Sequence, residues 1–436
     1  MNLFALNSPS ITGEVLCPGD KSISQRAVII GSLINQDMTI EGFLNGEDPI
    51  STINALNAIG SAIEINNTSV TIKQRETAFS SPKDDVDLGN SGTGMRLMMG
   101  LISSLGINVR LVGDKSLSKR PMLRVSEPLN LMGANILCRD GMPPVQITKG
   151  NIKNNFSYDM PIASAQVKSS IILAALAANE SVTVKEKYQT RNHTEKMIDY
   201  FGGSIKSEII DQENVIYLSP SKLDITKSYK VVGDFSSAAF LMVAGLIAKE
   251  SNIIIKNVGV NPTRSGLIDI LKSMGGEISI RNQEIICNEE VADIHVQSSA
   301  LKGINIKGSI IPNIIDEIPV LSIAAAFADG QTTISEASEL RVKESDRLSA
   351  ISYGLNSIGK SHELFEDGIK INGSKDDISG IPEIDSFGDH RIAMSFLVAS
   401  LRSSEGIHVR DCANIFTSFP GFIDVMQSLG VSINET

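Results

Sequence analysis

One pattern constrains this chain more than any other: an amphipathic stretch closed by glycine returns six times at nearly even spacing. It appears as LNAIGSAI, LNLMGANI, IDYFGGSI, LKSMGGEI, LNSIGKSH and MQSLGVSI. The glycines are Gly60, Gly133, Gly202, Gly275, Gly359 and Gly430, at intervals of 73, 69, 73, 84 and 71 residues. Glycine just past an amphipathic segment is the expected helix C-cap, because it enters the left-handed conformation without a Cβ clash. A second pattern keeps the same beat. Polar residues lead into small, apolar runs at KSISQRAVIIGSL, NSGTGMRLMMGL, SAQVKSSIILAAL, DFSSAAFLMVAGL, DEIPVLSIAAAFA and DHRIAMSFLVASL. Anchored at Ser22, Ser91, Ser164, Ser236, Glu317 and His390, these fall 69, 73, 72, 81 and 73 residues apart. Apolar on nearly every side, they are expected to be buried helices, most of them N-capped by Ser, Asp or Asn.

Short β-type runs lie between the helices: MTIEGF, INVRLVG, SVTVKE, NIIIKNV, QTTISEA and GIHVRD. Each unit therefore reads strand, buried helix, strand, amphipathic helix, glycine, then one or two strands. The chain is an α/β (α+β) protein of six such units, three to a domain. The expected domains are residues 20–232 and a discontinuous one of 1–19 with 233–436. The last unit is cut short after Gly430. The strand-like opening, FALNSPSITGEV, is expected to complete it and tie the N-terminus to the C-terminal half.

Composition removes several function classes. Thirty-nine basic against fifty acidic residues give a net charge of −11, the wrong sign for a nucleic-acid binder. The longest apolar run, about Leu241 to Ala248, falls far short of the ~20 residues that cross a bilayer. Residues 1–13 lack the basic start and apolar core of a targeting peptide. Cys17, Cys138, Cys287 and Cys412 are far apart, and no histidine pair has metal-ligand spacing. Reduced thiols in a cytoplasm and no metal site are the expectation.

Buried helices related by internal symmetry are expected to point their N-termini the same way in each domain. A helix N-terminus offers unpaired N–H groups and roughly half a positive charge, so it favours anions. Two such sets would suit a multiply anionic ligand between the domains. The side chains at these points agree with that. Lys21, Ser22 and Arg26 open the first buried helix, Asn90 to Thr93 open the second, and Asp389, His390 and Arg391 open the last. Loops add Arg120, Arg191, Arg264, Arg341, Lys343 and Arg347. Each element has a plainer reading: GNSGTG as a helix cap, KESDR as a solvated face, Asp316–Glu317 as a dipole-favoured helix start. Their recurrence at equivalent points of a repeat favours function.

In order along nearly the whole chain, PGDKSIS, LGNSGTGMR, KRPM, SAQVK, RVKESDRL, GDHRIAM and SFP closely resemble the motifs of the 5-enolpyruvylshikimate-3-phosphate synthase family. The resemblance implies two domains of three βαβαββ units each, the inverse barrel of the enolpyruvyl transferases. It implies transfer of the enolpyruvyl group of phosphoenolpyruvate to the 5-hydroxyl of shikimate 3-phosphate, with no metal or organic cofactor. Two alternatives share the fold: a UDP-N-acetylglucosamine enolpyruvyl transferase, and a binding protein related to the RNA 3′-phosphate cyclases. The first typically has Lys-Asn where this chain has Lys21-Ser22, and no loop here matches its catalytic cysteine.

The resemblance also implies roles. Asp316 matches the base at the hydroxyl, Glu344 the acid at C3, and Lys21 lies between both substrates. Lys21, Ser22, Arg26, Ser164, Ala165, Gln166, Arg191, Asp316 and Lys343 map to shikimate 3-phosphate. Lys21, Asn90, Gly92, Arg120, Gln166, Arg347 and Arg391 map to phosphoenolpyruvate. The chain is expected to work as a cytoplasmic monomer on small molecules, with neither nucleic acid nor membrane as partner. Glu339, Leu340, Thr417 and Leu97 depart from the commonest bacterial pattern and look like the second bacterial subgroup, which includes glyphosate-tolerant members. Thr417 stands where a substrate-facing lysine is usual.

Overall fold

The computed structural model describes residues 1–8, 10–224 and 228–436. The chain forms two compact units: residues 19–232 with 285–289, and residues 1–18 with 233–284 and 290–436. The expected boundaries put 285–289 in the discontinuous domain. That short segment instead belongs to the other unit, where Glu289 meets His193 at 2.8 Å and the Asn288 carbonyl accepts from Lys196 at 2.7 Å.

In the unit built on 19–232 the helices are α1 (Lys21–Ile34), α2 (Glu47–Ala58), α3 (Gly92–Ile102), α4 (Leu123–Leu131), α5 (Ala165–Ala178) and α6 (His193–Tyr200). In the other they are α7 (Phe235–Ile247), α8 (Gly266–Ser273), the single turn α9 (Ile311–Ile314), α10 (Ile318–Ala326), α11 (Arg347–Ser357), α12 (His390–Ala399) and α13 (Phe422–Ser428). Every residue of α7, α10 and α12 is buried. Their apolar sequences satisfy backbone polarity internally and leave no face that prefers water. Burying each aliphatic side chain contributes ~1.5–3 kcal/mol. By contrast α11 buries Arg347, Leu348, Ala350, Ile351, Gly354 and Leu355, one stripe at helical spacing.

Glycine ends the amphipathic helices as the spacing predicts. Gly60, Gly133, Gly202, Gly275, Gly359 and Gly430 all have positive φ, between 71° and 109°. Elsewhere glycine permits contact rather than a turn. At Gly100 on α3 a Cβ would lie 2.2 Å from the Ser170 carbonyl oxygen of α5, so these helices meet backbone to backbone.

Six four-stranded sheets flank the buried helices. In each, one parallel pair is followed by an antiparallel strand. The first repeat takes its parallel partner, Tyr229–Lys230, from the far end of its own unit. The N-terminus completes the C-terminal unit as its strand-like sequence suggests. Leu3–Ala5 lies antiparallel between Ile407–Arg410 and Ile433–Glu435, and Ser10–Leu16 runs parallel to Glu250–Gly259. Pro9, within that stretch, lies outside the described residues.

Candidate active site

Within each unit, the side chains expected to bind ligand gather where the buried helices begin. In the unit of α1, α3 and α5 the N-caps are Asp20, Ser91 and Ser164, each accepting a backbone N–H of its first turn. Gln25 on α1 donates to the Ser91 hydroxyl at 2.5 Å. Gln166 on α5 donates to Thr93 of α3 at 2.9 Å and accepts from Arg96 at 2.7 Å. Three helix N-termini are thus stitched into one polar surface, where their unpaired N–H groups favour anions.

Lys21 lies on this surface, its ammonium 2.9 Å from Asp48 and mostly shielded from water. Arg26 is buried and held by Thr194 at 2.8 Å, Ser169 at 3.0 Å and the Ser22 carbonyl at 3.1 Å. Arg120 donates to the side chain and carbonyl of Asn90 at 2.6 and 3.2 Å, and to Ser116 at 3.2 Å. Gly92, at the start of α3, is the close neighbour of this guanidinium. A Cβ there would lie 2.9 Å from Arg120 Nη1 and 3.3 Å from Arg96 Nη1. Ala165 and Gln166 form the first turn of α5, and Arg191 sits half-buried in the loop before α6.

The second cluster belongs to the unit of α7, α10 and α12. Its centre is Arg347, 1 % exposed, whose three nitrogens meet three carboxylates. Nε donates to Asp389 at 2.8 Å, Nη1 to Asp316 at 3.2 Å and Nη2 to Glu344 at 2.5 Å. Burial alone would lower the affinity of Arg347 for its proton. Asp389, Glu344 and Asp316 outweigh it and raise the pKa above the usual arginine value. Asp389 also caps α12 by accepting the Arg391 N–H at 2.9 Å. Lys343 stands 3.6 Å from Asp316. Burial, assisted by the positive charge of Arg347, pushes the Lys343 ammonium below its ordinary pKa against the pull of Asp316.

Arg391 differs from Arg347. Its Nη1 donates to the Asp316 carbonyl at 2.8 Å and stands 3.6 Å from Glu317. Its Nε and Nη2 make no hydrogen bond among the described residues, which leaves a donor pair for a ligand. Glu317 occupies the N-cap position of α10, but its side chain makes no cap hydrogen bond there. It accepts instead from Ser236, to which the buried Arg264 also donates at 2.9 Å.

Sequence reasoning assigned no substrate contact or catalytic role to Asp48, Arg96, Glu317 or Asp389. Asp48 carried no signal beyond an acidic first turn of α2. Asp389 stood in the DHR motif but showed no sign of its partner 42 positions earlier. Thr417 is buried, its hydroxyl donating to the Asn414 carbonyl at 2.7 Å. Among the described residues no group of three or more His, Cys, Asp or Glu side chains is arranged to hold a metal ion.

The chain is similar to known proteins over nearly its whole length. The family model for EPSP synthase (3-phosphoshikimate 1-carboxyvinyltransferase) matches residues 7–426. A 3-phosphoshikimate 1-carboxyvinyltransferase of Legionella pneumophila (strain Corby) is 44 % identical over 442 aligned residues, covering 100 % of this chain and 99 % of the relative. One from Hydrogenovibrio crunogenus is 44 % identical over 97 % of this chain and 96 % of its own. The EPSP synthase of Acinetobacter baumannii superposes with a TM-score of 0.85 at 39 % identity, over 100 % of both chains. The enolpyruvyl transferase NikO of Streptomyces tendae, at 17 % identity and a TM-score of 0.77 over 99 % of this chain and 98 % of its own, shares the fold.

Proposed function

The chain belongs to the EPSP synthase family, and on that premise we propose how its residues divide the work. It is a transferase that moves the enolpyruvyl group of phosphoenolpyruvate to the 5-hydroxyl of shikimate 3-phosphate, releasing phosphate, in aromatic amino acid biosynthesis. Full-length similarity to 3-phosphoshikimate 1-carboxyvinyltransferases disfavours both the UDP-N-acetylglucosamine and the RNA-terminus alternatives.

The hydroxyl adds to C2 of the enol while C3 is protonated, and the resulting ketal then loses phosphate. This needs a base, an acid and fixed cations for two phosphates and a carboxylate. We assign Asp316 as the base at the hydroxyl and Glu344 as the acid at C3, with Lys21 sharing proton transfer. The observation that carries this reading is that Asp316 and Glu344 sit on adjacent nitrogens of one buried arginine, Arg347. Two carboxylates so paired reach the same small ligand, and an anion arriving at Arg347 competes with both.

Arg120, Arg347 and Arg391 are assigned to phosphoenolpyruvate, with Lys21, Asn90, Gly92 and Gln166. The open donor pair of Arg391 supports its place. Shikimate 3-phosphate takes Lys21, Ser22, Arg26, Ser164, Ala165, Gln166 and Arg191, and also Asp316 and Lys343. The reaction read in this way uses no metal or organic cofactor. We further propose a cytoplasmic monomer acting on small molecules. No single helix among the described residues is long and apolar enough to cross a membrane. One bent pair, Gly308–Ile314 with Ile318–Ala326, passes on length and composition, but it turns by 109° and its second helix is core.

Mass spectrometry of the products tests the assignment. Incubation with both substrates is expected to give shikimate 3-phosphate carrying an enolpyruvyl group; unmodified shikimate 3-phosphate contradicts it.

A further inference from the structure

Behind the α5 N-terminus lies a polar cluster that the reaction does not use directly. Lys168 is fully buried, its ammonium 2.9 Å from Glu186, 2.8 Å from Glu195 and 3.2 Å from the carbonyl of Thr190. Burial alone would lower the Lys168 pKa, but Glu195 and Glu186 hold it above the ordinary value. Glu186 is equally buried and binds the same threonine twice more. Its Oε1 accepts the Thr190 N–H at 3.1 Å and its Oε2 accepts the Thr190 hydroxyl at 2.6 Å. Asn214, on the neighbouring strand, donates to Glu186 at 2.7 Å and fixes it from the other side.

All three polar groups of Thr190 are therefore clamped by one buried ion pair. The clamp is placed with purpose. Lys187, Tyr188 and Gln189 before it are exposed, and residues 187–192 have no regular structure. Thr190 is the buried residue of that stretch, and Arg191 follows it directly. Lys168 also lies on α5, two residues after Gln166, so the pair ties the loop to the helix that begins with Ser164, Ala165 and Gln166. Simple core filling explains none of this: a buried ion pair is a weak source of stability, because desolvating the charges offsets most of their attraction.

We propose that Lys168, Glu186 and Thr190 are positioning residues that set Arg191 for the phosphate of shikimate 3-phosphate. The proposal rests on the assignment of Arg191 made above. Removing Lys168 or Glu186 would strand buried charge and risk unfolding, so the test falls on Thr190. Thr190→Val keeps the side-chain shape and the backbone bonds and deletes the hydroxyl donor to Glu186. Thr190→Ser keeps the donor.

The valine variant is expected to raise KM for shikimate 3-phosphate roughly 3- to 10-fold, the worth of one hydrogen bond. KM for phosphoenolpyruvate is expected to stay within about twofold, and the serine variant to restore the wild-type value. In an Arg191→Ala background the valine change is expected to add nothing further. Equal rises in both KM values, no rise at all, or a full extra effect in the Arg191→Ala background each overturn the clamp. An inactive wild type would instead refute the enzyme assignment, so the two failures are distinguishable.

Discussion

Arg347 and Asp389 meet at 2.8 Å in the core, the first residue of one helix held by the N-cap of another. Asp389 is thereby both the cap of α12 and the fixed point from which Arg347 reaches Asp316 and Glu344. Arg347→Met should strand three carboxylates around an apolar side chain. Breaking a buried pair costs ~3–5 kcal/mol, which for a unit of this size lowers Tm by on the order of 10 °C. Calorimetry checks it; a shift of only a degree or two would mean the carboxylates find other partners.

Glu344→Gln and Asp316→Asn keep shape and remove one proton-transfer group each. Both should lower kcat by ~10²–10⁴ while KM values change far less. A variant with near-normal kcat removes that residue from its role.

Gly92 permits a finer test. Gly92 lies in the first turn of α3 and is absent from the positive-φ glycines, so alanine suits the backbone. The new methyl would press instead on Arg120 Nη1, 2.9 Å away. Gly92→Ala is expected to leave Tm unchanged or slightly raised and to raise KM for phosphoenolpyruvate. The inhibition constant for glyphosate, a longer occupant of the same pocket in the resembling family, should rise by a larger factor. Equal factors would contradict a steric effect at the ligand.

Lys360 carries a pH signature remote from the site. Burial, helped by the charge of Arg402, lowers its pKa to about 8 against the pull of Asp376 and Asp377. Below that value both folded and unfolded chains hold the proton, and the full penalty for burying the charge applies. As pH rises from about 8 toward the unfolded value near ~10.4, the folded state releases its proton first and stability rises. The stability difference between wild type and Lys360→Met should therefore grow in favour of wild type across that window, by at most ~3 kcal/mol and by less once solvent screening is allowed for. Denaturant unfolding across this pH range measures it; parallel curves contradict it.

The repeat was legible because helices of this kind declare themselves locally. A glycine after an amphipathic stripe and an N-cap before an apolar run need only near neighbours in sequence. Even the strand supplied by Leu3–Ala5 could be expected, since the last repeat lacked one. Candidate site residues stood out where a motif marked them, as at Lys21, Arg120 and Arg347. They did not stand out where a residue acts through a distant partner. Nothing near Asp48 names Lys21, nothing near Glu317 names Ser236, and Lys168 reads as an oddity in an apolar run. Pairings set by tertiary geometry leave no periodic trace.

The central claim is a reaction between two particular anions, and phosphate release measures it most directly. Purified chain should liberate phosphate from phosphoenolpyruvate when shikimate 3-phosphate is present, and not with phosphoenolpyruvate alone or with UDP-N-acetylglucosamine in its place. Release with UDP-N-acetylglucosamine, or none under any condition, would contradict the account.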